Sequence, residues 1–129
     1  MKTTLLLVLA SVSLMTSAQD YYWVGNGGDW TDLSHWATSS GGAELHTELP
    51  GSTNNVYVDA NSFTLPNQDL LIDLDAYCKD FNTTGVTSFP TIVSAGGATF
   101  WVAGDFTLSD GVLRDFRNIH MWSDEDGNQ

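Results

Sequence analysis

The sequence predicts an all-β chain, and three observations carry that prediction. From Gln19 onward no long run keeps the 3.6-residue apolar period of a helix, and Gly, Ser, Thr, Asn and Asp break the chain about every ten residues. Apolar residues alternate instead over short runs, as in Asn55-Val56-Tyr57-Val58-Asp59, where Val56 and Val58 share one face and Tyr57 takes the other. Hairpin dipeptides are scarce: Asn26-Gly27, Asp110-Gly111 and Asp126-Gly127 are the only Asn-Gly or Asp-Gly pairs. A β-sandwich, the alternative architecture, needs such turns between long antiparallel strands. A parallel solenoid joins short strands through Gly, Asn and Asp corners in coils of roughly 20 to 30 residues. Ile72 and Ile92 stand one such coil apart. The expected fold is therefore the N-terminal cap and first coils of a right-handed parallel β-helix.

The elements follow in order. Lys2, the apolar run Leu5 to Ala10 and the small residues Thr16-Ser17-Ala18 form the three parts of a signal peptide, which makes residues 1–18 a removable address. That run is too short for a bilayer, which takes roughly 20 apolar residues, and no second one follows. Residues 19–59 form an aromatic-rich cap. Three of the five tryptophans and two of the four tyrosines fall within Tyr21 to Trp36. Tyr22, Trp23 and Val24 make a first strand, Gly25 to Asp29 a turn, and Asp32 caps one helical turn carrying Leu33 and Trp36. Thr38 to Gly42 is an exposed loop, and Pro50 to Asn54 turns the chain into the strand around Val56.

Residues 60–129 read as coils. Leu70, Ile72 and Leu74 are expected to point inward and Asp73 and Asp75 outward. Asn82 to Gly85 is a turn, Pro90 opens the strand Thr91-Ile92-Val93, and Phe100, Val102, Phe106 and Leu108 alternate around a kink at Gly104-Asp105. Trp101 faces opposite Phe100 and Val102, which makes it the exposed aromatic. Leu113, Phe116, Ile119 and Met121 continue the pattern. The sequence then stops in the turn-like run Ser123 to Gln129 without a closing strand, and it reads as the first part of a longer chain.

Charge narrows the partners. The formal net charge is −12, and without Lys2 only Lys79, Arg114 and Arg117 face sixteen acids. Such a surface repels phosphate backbones, so no nucleic-acid partner is expected. Neutral sugars and divalent cations are compatible with it. Cys78 is the single cysteine and cannot form an internal disulfide, so it is expected to be a small buried hydrophobe.

Tyr21 to Ala37, Tyr-Tyr-Trp-Val-Gly-Asn-Gly-Gly-Asp-Trp-Thr-Asp-Leu-Ser-His-Trp-Ala, resembles the N-terminal opening of very large secreted adhesin-like proteins of Bacteroidetes. Pro50-Gly51 with Asn55 to Phe63 resembles the next segment of that family. Cys78 to Phe81 and Gly104 to Leu108 are similar to its first coils. A broader likeness extends to autotransporter-type solenoids. The resemblance implies export, a cell-surface or extracellular location, type IX secretion cargo and a parallel β-helix-like fold. It brings no catalytic motif.

Three sets of residues invite a ligand. Trp23, Trp30, Trp36 and Trp101 could hold a cell-surface or extracellular polysaccharide through their ring faces. Burying the first three against the end of a core is the competing role and the expected one, at roughly 25 cal/mol per Å² removed from water. Asp124, Asp126 and Asn128 have the first three spacings of a calcium loop but lack its glycine and distal glutamate; calcium is the only cofactor the sequence suggests. Arg114 and Arg117 are the arginines a polysaccharide-degrading β-helix would need, yet their spacing of three sends them to opposite faces of a strand. No catalytic residue is assigned. The expected function is a secreted, non-catalytic, adhesin-like module that starts a solenoid; a carbohydrate-binding module is the alternative, and a polysaccharide-degrading fragment comes third.

Overall fold

The computed structural model describes residues 18–122. The residues before Ala18, expected to be a signal peptide, and Asp124, Asp126 and Asn128, expected as calcium ligands, lie outside them. The described chain is all-β apart from one 3-10 turn. Its strands are β1 (Asp20–Trp23), β2 (Gly28–Asp29), β3 (Trp36–Ala37), β4 (Asn55–Tyr57), β5 (Asp69–Ile72), β6 (Ala76–Cys78), β7 (Phe81–Asn82), β8 (Thr91–Ser94), β9 (Phe100–Val102), β10 (Phe106–Thr107), β11 (Leu113–Asp115) and β12 (Ile119–Met121). They form three sheets, in the orders β10-β7-β4-β1-β3, β11-β8-β5-β2 and β12-β9-β6. Every pair of named strands is parallel except β1 with β3.

From β4 onward the chain visits the first, second and third sheets in that order three times. Parallel neighbours need a long return connection. Here the return runs through the other two sheets, and the glycine- and hydroxyl-rich breaks in the sequence are the corners. At two core positions register stacks apolar on apolar. Val56 stands beside Phe81 and Phe81 beside Phe106. Ala76 stands beside Phe100 and Phe100 beside Ile119.

The core is a continuous run of rings. Trp23 meets Trp36 at 5.0 Å between ring centres, Trp36 meets Trp30 at 4.6 Å, Trp30 meets Phe100 at 5.4 Å, and Phe100 meets Phe81 at 5.1 Å. Three of these tilts, 86°, 70° and 87°, are edge-to-face, and the fourth, 62°, is close to it; this geometry satisfies the ring quadrupoles. Polar groups at the corners are matched as carefully. The Asp80 carboxylate accepts from the Asp105 amide 25 residues later at 2.9 Å, and the Asp75 carboxylate accepts from the Thr99 amide at 2.8 Å. Thr83 is fully buried, and its hydroxyl accepts from the Ser109 amide at 2.8 Å.

Two details differ from the expectation. Ile92 lies beside Leu70, and Ile72 lies beside Ser94. Leu74 points outward at 63% exposure, because β5 ends at Ile72 and Asp73 turns to accept from the Thr31 amide and hydroxyl. Asp73 is therefore drawn into a corner and half-buried, while Asp75 is exposed as expected and accepts from the Thr99 amide.

Candidate functional site

The cap decides what the first three tryptophans can do. Trp23, Trp30 and Trp36 are buried at 0%, 2% and 0% exposure. The Trp23 indole donates to the Asn26 carbonyl at 2.7 Å, and the Trp36 indole donates to the Trp30 carbonyl at 2.8 Å. His35 closes the stack on Trp23, with rings 4.5 Å apart and 3° from parallel, and its Nδ1 lies 2.6 Å from the Val24 carbonyl. Gly28 has to be glycine here, since a Cβ would run into His35 Nε2. Asp32 caps the 3-10 turn Leu33–His35 as expected, accepting from the Ser34 amide at 2.9 Å. The Ser34 hydroxyl and amide hold the Asp32 carboxyl below its ordinary pKa. The open platform envisaged for Trp23, Trp30 and Trp36 has no ring face to offer, because the faces are packed on one another.

Trp101 does face outward and is half-buried. In the third sheet Tyr77, Trp101 and His120 stand in register on successive strands. Tyr77 lies parallel to Trp101 at 6.1 Å, His120 meets it at 4.4 Å and 65°, and Trp122 at 5.8 Å and 70°. The Trp101 indole nitrogen is buried and finds no hydrogen-bond partner among the described residues. This strip is a ladder of rings packed against rings.

A different place combines an aromatic ring with free polar groups. β1 alternates, so Tyr21 and Trp23 face the core while Tyr22 faces out. Tyr57, its neighbour in β4, stacks on the Tyr22 ring at 5.0 Å and 18°. Its neighbour on the other side is Ala37 in β3, which carries only a methyl group. Tyr22 also lines an open cleft of about 330 Å³ with Gln19, Asp20, Thr38 and His46. His46 is held there by stacking on Tyr21 at 3.6 Å and by its Nε2, 3.0 Å from the Asp20 carbonyl. An imidazole nitrogen in that bond is the donor, so neutral His46 keeps Nδ1 as an acceptor. Asp20 is fixed from the other side, where Asn55 Nδ2 donates to its Oδ1 at 3.1 Å. Asn55 Oδ1 is buried without a partner among the described residues. Burial, followed by the charges of Asp20 and Asp59, raises the Tyr22 phenol, which keeps it a donor at neutral pH.

These cleft residues come from β1, from the residue after β3 and from the loop that follows. Alternation in β1 was the only signal in the sequence that turned Tyr22 away from its buried neighbours.

The remaining chemistry is quiet. Cys78 is buried, and burial together with the Asp80 charge pushes its thiol well above the ordinary range. Arg114 and Arg117 are both exposed near the last strands. Among the described residues no three His, Cys, Asp or Glu side chains gather where they could hold a metal ion. Among them, too, no helix is long and apolar enough to cross a membrane. No protein-family model, curated protein or solved structure matches this chain.

Proposed function

We propose that this chain caps and starts a parallel β-solenoid, as a non-catalytic, adhesin-like module of a secreted surface protein. The observation that carries the reading is the contrast between the two ends of the stack. At one end the first sheet begins with β3 and β1, and Trp23, Trp30, Trp36 and His35 close the core. At the other, β10, β11 and β12 are each the last described strand of their sheets. There Met121 and Ile119, in register with the buried Val102 and Phe100, are 54% and 39% exposed. Apolar rungs beside unpaired strand edges suit the docking of another coil. In this reading the rest of a longer chain supplies that coil, and the acidic corners face solvent along the sides.

The test is behaviour at the open end. The purified chain should bind a hydrophobic dye and self-associate with concentration in sedimentation runs. Ile119→Lys with Met121→Lys should suppress both while leaving the unfolding midpoint within a few degrees. A monodisperse chain that ignores the dye would sink the proposal.

A further inference from the structure

We propose that the cleft beside Tyr22 binds one unit of a neutral saccharide, with the Tyr22 ring against the C–H face of the sugar and Asp20, Thr38 and His46 taking its hydroxyls. The inference is independent of what covers the open end.

The Tyr22 ring carries the first part of the argument. Tyr57 covers one side of it, and Tyr22 is half-buried and is one of the residues that line the cleft. The face of an aromatic ring is electron-rich and attracts the weakly positive C–H groups that a pyranose presents on one side. The tryptophans cannot offer such a face, because Trp23, Trp30 and Trp36 are buried on one another.

The polar rim carries the second part. Hydroxyls need acceptors and donors placed around the ring, and the cleft holds both kinds. The Asp20 carboxylate accepts, and its position is set by Asn55. His46 offers an acceptor at Nδ1 while its Nε2 is tied to the backbone. Thr38 and Tyr22 each carry a hydroxyl that can donate or accept.

Size and charge exclude other ligand classes. About 330 Å³ lies at the low end of small-ligand sites, which span roughly 300 to 1,000 Å³, so one sugar unit fits and a large cofactor does not. Calcium takes about six to eight oxygens, and among the described residues Asp20 is the one carboxylate lining the cleft. A net charge of −12 opposes an anionic sugar.

The test uses the purified chain with soluble neutral gluco-, manno-, xylo- and N-acetylglucosamine oligosaccharides, and an oligogalacturonate as the anionic control. Saturation-transfer NMR should show contact with at least one neutral oligosaccharide and none with the oligogalacturonate. Tyr22→Ala should weaken that binding by about tenfold or more. Thr38→Val, at an exposed position that carries no core contact, should weaken it several-fold with an unchanged melting curve. Trp101→Ala should leave it intact. Absence of binding to every neutral oligosaccharide overturns the proposal. So does binding that survives both Tyr22→Ala and Thr38→Val, or binding lost in Trp101→Ala and kept in Tyr22→Ala, which moves the site to the third sheet.

Discussion

Phe100 meets Trp30 at 5.4 Å, and that contact joins the aromatic N-terminal segment to the later strands. Trp30 follows β2, and Phe100 opens a strand of the second full passage around the three sheets. Phe100 also touches Phe81 at 5.1 Å and Phe116 at 5.9 Å, so one ring spans from the closed end to the last strands. The cap is therefore part of the core it covers.

Truncating the cap tryptophans tests this directly. Trp30→Ala and Trp36→Ala should each destabilise the chain by about 3–5 kcal/mol, the usual cost of emptying a large aromatic site. Trp101→Ala, outward and half-buried, should cost about 1 kcal/mol. Urea denaturation measures all three. Acrylamide should quench a smaller share of the tryptophan fluorescence in Trp101→Phe than in the native chain, because the cap tryptophans that remain are buried.

Two glycines should respond in opposite directions. Gly28→Ala sets a methyl group against His35 Nε2, and His35 cannot swing aside because its ring lies on Trp23 and its Nδ1 is tied to Val24. A loss of about 1–3 kcal/mol is expected, as for other overpacked sites. Gly96→Ala meets nothing within 4 Å. Its backbone is not left-handed, so the added methyl should stabilise by about 0.4–1 kcal/mol through the unfolded chain. Thermal melts of the two variants should move apart in sign.

The corner carboxylates have a measurable role. Asp80→Ala removes the acceptor of the Asp105 amide and should cost about 1–2 kcal/mol, with faster hydrogen exchange at that amide. Gly104→Ala would push a Cβ onto the same Asp80 oxygen. The two changes disrupt one interaction, so the double variant should lose less than the sum of the singles. Strict additivity in a double-mutant cycle would show that the corner bond contributes nothing.

Much of this was legible because alternation and burial act locally. Val56 and Val58 read as sharing one face with Tyr57 on the other, and the two valines are buried while Tyr57 is half-buried. The single turn capped by Asp32 was equally local. Register was not legible. Ile92 pairs with Leu70 because the corner around Ser88 and Phe89, both left-handed, fixes where β8 begins. No hydrophobic pattern encodes the length of such a corner. Leu74 faces out because Asp73 is claimed by Thr31, a residue 42 positions earlier. The cleft was hidden for the same reason. Tyr22, Thr38 and His46 meet only once β3 folds back antiparallel on β1.

Cys78 gives a pH test whose sign can be worked out. Burial, then the Asp80 charge, raises the thiol pKa in the fold. In the unfolded chain the thiol ionises at about pH 8.5. A raised folded pKa means that the contribution to stability is whole below the unfolded value and is lost as pH rises from there through the folded one. The urea midpoint should therefore fall above about pH 8.5. Cys78→Ala should start less stable by about 1 kcal/mol, from lost buried area, and show a shallower alkaline decline. In the native chain at pH 8 a disulfide reagent should leave Cys78 unmodified, and denaturant should make it react at once. Equal rates with and without denaturant would place the thiol at the surface.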